Sequence, residues 1–333
     1  RALDRLANAD RSAVALTTHR GGLTVGWLTD EQRYRLAERS PDGWQIGPPV
    51  EIDGQTYAGS RDFDLAVEPN GVAHLLYRDS GTNALHHLRR SSSGDWQRTL
   101  IDDGSAVESR QDCANPSTET EHPGVGYDPD VTFGSDRLLA AYYDGGCGDL
   151  RLARSSGDGW GVTVVDNGDY TVAGDPIRKS GNVGRFASIA VDPRGDIAIA
   201  YHDLRRGQLM FAEESADQYE IDLVDPGRQL DALSRKRKQL VGAFADLTFD
   251  KAGTPYIAYM NASENRLRLA YRARDAGGTH RWLHRSLDPE PPTGFFASVE
   301  ATPASGIVVL AERMRPTADG VTSRLVTVAD EAR

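Results

Sequence analysis

The sequence predicts an all-β chain: a six-bladed β-propeller of four-stranded blades, with residues 1–333 forming one repeat-built domain. Three observations predict it. First, one grammar recurs along the chain, clearest in FASIAVDPRGDIAIAYHDLRRGQLMFAEESADQYEIDLVD (186–225). It reads strand, Gly turn, strand ending in Tyr-x-Asp, loop, strand, turn, aromatic-started strand, Val-Asp. Second, aligning the copies gives a column of Val14, Asp64, Asp130, Ser188, Asp246 and Ser298, at spacings of 50, 66, 58, 58 and 52. Third, a period of about 50 residues or more built from four short strands marks a propeller rather than one packed sandwich.

The blades fall at about 12–52, 62–102, 128–166, 186–225, 244–288 and 296–329. Apolar-rich second strands are VAHLLY (72–77), RLLAAY (137–142), IAIAY (197–201) and PYIAY (255–259), as half-buried strands require. Gly71, Gly195 and Gly253 close the first hairpins, where a positive φ is expected. Trp44, Trp96, Trp160, Tyr219 and Trp282 open the fourth strands and are read as packing wedges. A second column, Asp79, Asp144, Asp203 and Asn261, is expected to cap its own turn through Asx geometry. The last blade shows strands near 297–301, 306–311 and 323–329, then the chain ends. Residues 2–9 are expected to supply its outer strand, because an unpaired sheet edge has to be covered.

A net charge of −11 argues against bulk binding to nucleic acid or anionic membrane. No apolar run reaches about 18 residues, so membrane insertion is not expected. The chain starts with Arg and carries no signal-peptide pattern, which reads as a processed piece of a larger polypeptide. Its two cysteines, Cys113 and Cys147, fall in loops expected at the same end of blade three. A disulfide between them is the expectation, two free thiols the alternative. A disulfide implies an extracellular, periplasmic or cell-surface address.

The phrases VGRFASIAVDPRGDIAIAYHD (183–203) and VGAFADLTFDKAGTPYIAYMN (241–261) carry a resemblance. The unit resembles the repeats of BNR, or sialidase-like, propeller proteins, which are common in secreted bacterial chains. The resemblance covers roughly residues 12–329 and implies the fold; one propeller scaffold hosts many activities. The turns SPDGW (40–44), SSSGDW (91–96) and SSGDGW (155–160) keep the Ser, acid, Gly and Trp of the sialidase Asp-box at a different spacing. The sialidase arginine triad, Tyr nucleophile and acidic partner are not matched residue by residue, so none is carried over.

Propeller order puts the blade-to-blade joins 103–127, 167–185, 226–243 and 289–295 at one end, with the loops between strands two and three. Long loops at one end of a repeat array form the binding face. There Arg61 and Arg185 occupy one aligned position, filled elsewhere by Tyr127, Ala243 and Phe295. Arg178, Lys179, Arg205, Arg206, Arg228 and the run 235–238 add positive charge near blade four. The candidate ligand contacts are Arg61, Tyr127, Arg185, Arg205 and Arg206, suited to an anionic ligand; a solvated charge run is the alternative. His202, Asp203 and Tyr127 are the candidate acid–base groups. Asp64, Asp130 and Asp246 are a candidate site for Ca²⁺ if their carboxylates converge. The alternative for that column is structural: accepting backbone N–H groups of the next blade.

The functional expectation is a secreted or surface module that binds a glycan or protein through its loop-rich face. The alternatives are a sialidase-like glycan hydrolase or lyase, and a structural domain of a larger chain. No catalytic motif of the GxSxG, HExxH or P-loop kind is present.

Overall fold

The computed structural model describes all residues except 1–13, 20–21, 57–61, 92, 106–123, 158, 169–181, 216–217, 231–235, 275–277, 289, 303–305, 318–319 and 331–333. The chain is an all-β, six-bladed propeller, with no helix among the described residues. Five sheets have four antiparallel strands and the sixth has three, joined by two small two-stranded ribbons.

Residues 1–147 and 151–164 form one compact unit, and 148–150 and 165–333 a second. In unit 1, blade two runs Phe63–Val67, Ala73–Asp79, Ala84–Arg90 and Trp96–Asp102. In unit 2, blade four runs Val183–Val191, Ile197–Asp203, Gln208–Ser215 and Gln218–Asp225. Blade five follows as Val241–Phe249, Pro255–Asn261, Arg266–Arg274 and His280–Ser286. Blade six has Thr293–Thr302, Gly306–Thr317 and Gly320–Asp330. Residues 2–9, expected to complete it, lie outside the described residues.

The core lies between blades, because each thin sheet has two faces to cover. Leu65, Leu75 and Tyr77 meet Tyr34 and Leu36 in one layer, while Phe211 and Leu209 meet Ile257 and Tyr259 in another. Trp96, Trp160 and Trp282 pack against these layers, as wedges should. Trp282 stands edge-on to Phe211 at 5.0 Å. Gly71, Gly195 and Gly253 have φ of 92°, 97° and 80°, the left-handed values expected for them.

Two hydrogen-bond devices tie consecutive blades. In the first, the inner column accepts from its neighbour's backbone. Val131 N donates to Asp64 Oδ2 at 2.8 Å, Leu247 N to Ser188 Oγ at 3.1 Å and Val299 N to Asp246 Oδ2 at 2.6 Å. In the second, a buried Tyr of one blade donates to the Asp that ends the preceding blade. The pairs are Tyr142–Asp102 at 2.8 Å, Tyr201–Asp166 at 2.6 Å and Tyr259–Asp225 at 2.7 Å. The other oxygen of each Asp accepts the N–H of Gly104, Gly168 or Gly227. Burial, reinforced by the Asp charge, holds the Tyr142 and Tyr259 phenols well above their ordinary range, so they remain donors.

The first strands of blades three to six start earlier than the repeat boundaries 128, 186, 244 and 296. They begin at Val125, Val183, Val241 and Thr293 and slip register after two or three residues. The bulge hides the continuity, because one extra residue breaks the alternation that marks a strand.

Candidate functional site

The loop-bearing end of unit 2 is built by these bulges. The strand passes hard against the third strand of the preceding blade, and only glycine fits there. A Cβ on Gly184 would lie 2.8 Å from Leu150 Cα, and one on Gly242 3.0 Å from Leu209 Cα. Two residues later Phe186, Phe244 and Phe296 take φ of 52°, 53° and 48°. A bulky residue held there costs on the order of 1–3 kcal/mol, and such strain concentrates at functional sites.

The bulge sets the three rings in a row. Phe186 and Phe244 have centroids 4.8 Å apart, as do Phe244 and Phe296, and Phe295 stands 6.0 Å from Phe244. Phe296 is exposed, and Phe186 and Phe244 are half-buried. The Arg185 guanidinium lies 5.4 Å over the Phe186 ring. Beside this row, exposed Arg205 and half-buried Arg206 follow Asp203. A ribbon of Arg228–Leu230 paired with Lys236–Lys238 stands against them, with Lys238 Nζ donating to the Arg205 carbonyl at 3.4 Å. The arrangement offers apolar ring surface beside fixed positive charge.

The expected loop geometry holds: Leu204 N donates to Asn182 O and Ala262 N to Leu240 O, joining each second loop to the blade-to-blade connection. Asp79, Asp144, Asp203 and Asn261 cap their own turns, through the N–H groups of Gly81, Gly146, Arg206 and Ser263.

The acid–base candidates are held in structural contacts. His202 is buried, and its Nδ1 donates to the Val241 carbonyl at 2.7 Å. Burial, with the Arg185 charge adding to it, lowers its pKa to about 4, so the ring is neutral at physiological pH. Asp203 is buried and occupied with its turn. Tyr127, in unit 1, is buried under the Arg78 guanidinium 4.0 Å from its ring.

Of the carboxylate column, Asp64 and Asp246 each give an oxygen to the next blade, the structural alternative for these positions. Asp130 lies beside Asp64, and burial together with the Asp130 charge and hydrogen bond pushes Asp64 well above the usual carboxylate range. Asp246 Oδ1 accepts from Ser188 Oγ at 3.2 Å. Arg61, Cys113, Arg178 and Lys179 lie outside the described residues. Cys147 is buried in the loop after Asp144.

The phenylalanine row was not among the sequence candidates. Its signal is a repeated Val/Thr-Gly-x-Phe, present in VGRF, VGAF and TGFF.

No protein-family profile and no curated protein sequence matches the chain. Solved structures match its fold over nearly its whole length. An ulvan lyase, a polysaccharide lyase bound to -[GlcA(1-4)Rha3S]-, aligns with a TM-score of 0.57 at 11% identity, covering 97% of this chain and 83% of that one. The Aleuria aurantia lectin, in complex with Fucalpha1-6GlcNAc, aligns with a TM-score of 0.50 at 11% identity, covering 98% of both chains. A protein from Lactobacillus plantarum aligns with a TM-score of 0.53 at 14% identity, covering 96% and 85%. At these identities the likeness is one of fold.

Proposed function

We propose that this chain is a glycan-binding propeller that takes anionic saccharides at the loop-bearing end of unit 2. The observation that carries the reading is the row Phe186, Phe244 and Phe296, each held at a left-handed φ that Phe disfavours. Rings turned out of the sheet give a surface for the apolar face of a sugar, and Arg185, Arg205 and Arg206 supply donors for carboxylate or sulfate. Propellers of this fold include a lectin in complex with Fucalpha1-6GlcNAc and a lyase bound to a sulfated, uronic saccharide, which supports a saccharide ligand in general terms. The choice of an anionic one rests on the cations. Binding without turnover is favoured because His202 and Asp203 are buried and His202 gives its ring N–H to a backbone carbonyl.

The test is titration of sulfated and uronic oligosaccharides into the native protein, Arg185→Ala and Phe244→Asn across a salt series. Binding should weaken about tenfold in each variant and fall with salt. Absence of binding in the native protein, or indifference to both substitutions and to salt, removes the reading. An extracellular, periplasmic or cell-surface address belongs to the same proposal and rests on a Cys113–Cys147 disulfide; mass spectrometry of unreduced protein showing two free thiols would remove that support.

A further inference from the structure

Two junctions between consecutive blades carry matching residues, and only one of them is closed. On blade two, Arg90 and Trp96 are cross-strand partners on the face whose Leu88 packs toward blade one. On blade one, Glu38 and Gln45 are partners on the face whose Leu36 packs toward blade two. The junction of blades four and five repeats the set: Glu213 is partnered with Glu220 beyond Phe211, and Arg272 with Trp282 beyond Ala270.

At blades four and five the set is satisfied internally. Arg272 grips Glu213 with both terminal nitrogens, at 2.7 and 3.0 Å, and lies 5.4 Å over Phe211 and 6.0 Å over Trp282. Trp282 Nε1 donates to Asp222 at 3.0 Å. At blades one and two it is not. Arg90 reaches Glu38 through Nη1 alone, at 2.8 Å, and the two side chains are 38% and 49% exposed. Leu36 takes the place of Phe211. Trp96 is half-buried, and among the described residues its indole N–H meets no acceptor and its ring no aromatic or cationic partner.

The cause lies in the fourth strand of blade one. It spans Gly43–Ile46, four residues against seven in blade two and eight in blade four. After Gly47 N has donated to Leu36 O, Pro48 and Pro49 have no N–H with which to extend the ladder. The chain returns at Val50, whose N–H donates to Tyr34 O at 2.8 Å. The gap leaves a groove of about 270 Å³, lined by Leu36, Glu38, Gln45, Pro48, Arg90 and Trp96 among others. That is just under the roughly 300–1,000 Å³ of drug-sized sites, room for one sugar ring and not for a chain. Its charged residues are one acid and one base, already side by side, so neither an anion nor a cation is called for. Trp96 and Leu36 suit the apolar face of a ring. The indole N–H, the unengaged guanidinium nitrogens, Glu38 and Gln45 suit its hydroxyls.

We propose that the junction of blades one and two is a second saccharide site, taking one neutral pyranose unit and independent of the anionic site in unit 2. Ligand-observed NMR with the methyl glycosides of glucose, galactose, mannose and N-acetylglucosamine tests it. The proteins are the native chain, Glu38→Ala, Arg90→Met, Trp96→Phe, Arg272→Met and Arg185→Ala. At least one glycoside should bind with little dependence on salt. Glu38→Ala and Arg90→Met should each weaken it about tenfold, and Trp96→Phe, which keeps a ring but loses the N–H, about threefold. Arg272→Met, the same change at the closed junction, and Arg185→Ala should stay within about twofold. Glu38 and Arg90 form an exposed pair whose loss leaves the fold standing, and an unchanged urea midpoint for those two variants separates a lost site from a lost fold. The proposal is overturned if no glycoside gives a saturable signal up to about 10 mM, or if Glu38→Ala and Arg90→Met both bind as the native chain does. Neither outcome touches the anionic site, which is scored by Arg185 and Phe244.

Discussion

The two units build the same bulge from different side chains. In unit 1 the left-handed position is Asp128, with φ of 45°; in unit 2 the equivalent positions are Phe186, Phe244 and Phe296. Asp adopts this conformation readily, and Phe does not. A second set of equivalent positions differs between blades. Arg151 of blade three is buried between Asp102 at 2.7 Å and Asp144 at 2.5 Å, and Arg268 of blade five pairs with Asp225 and Glu264, each at 3.0 Å, while Met210 occupies that strand position in blade four. At the bulge position itself unit 1 carries a polar side chain, whereas unit 2 carries apolar surface that is partly open. A repeat fixes the backbone, so departures from its cheapest side chain show where a blade serves something besides its own stability.

The largest effect expected from breaking this contrast is at Arg151. Arg151→Met copies blade four but leaves two buried carboxylates without their cation, at a cost of about 3–5 kcal/mol. Denaturant unfolding measures it; a loss below about 1 kcal/mol would mean that the buried network of unit 1 is dispensable.

Acid should then separate the units. His202 has a folded pKa of about 4, below the unfolded value of about 6.5, so it favours the neutral folded form. That stabilisation is complete above pH 6.5 and is lost as pH falls toward 4, amounting to about 3 kcal/mol. Blade two carries more of this burden: burial lowers His86 to about 4, with Arg98 adding to it, and His87 to about 3, with His74 adding to it. Hydrogen exchange at pH 4.5 should show blade two opening before blade four, and His202→Gln should flatten the acid slope of unit 2 alone. Simultaneous opening, or an unchanged slope, contradicts the assignment.

The smallest effect is at the bulge itself. Asp128→Phe should destabilise by about 1–2 kcal/mol, because unit 1 would then carry the strain without its neighbouring rings. Phe244→Asn should leave stability within about 1 kcal/mol while weakening saccharide binding. If Phe244→Asn destabilises strongly and binds normally, the row is a packing device and the comparison loses its functional meaning.

These contrasts were unevenly legible. The blade count, the hairpin glycines, the Trp wedges and the Asx-capped turns follow from local rules of turn and strand, and they stand as expected. The inner column was recognised, and its donor–acceptor role was one of two readings. The phenylalanine row was not found, although Val183-Gly184-Arg185-Phe186 repeats in plain view, because propensity places Gly, Asn or Asp at a left-handed position and never nominates Phe. The Tyr–Asp braces were visible only as separate words, Tyr-x-Asp and Val-Asp. Their partners lie 34 to 40 residues apart in different blades, beyond any local pattern.

The braces also decide what a transferable module of this chain is. Tyr259 belongs to blade five by sheet but is anchored on the last residue of blade four, Asp225, which in turn fixes Gly227. A sheet excised at its visible edges would therefore carry an orphan phenol at one cut and an orphan carboxylate at the other. Grafting, duplicating or deleting a blade should succeed only when the cut falls within a sheet, between a blade's second and third strands. Residues 204–262, a span that keeps Asp225, Gly227 and Tyr259 together, form such a cassette. The heritable unit is then out of phase with the folded one, and gene duplication in this lineage would have copied seams rather than sheets.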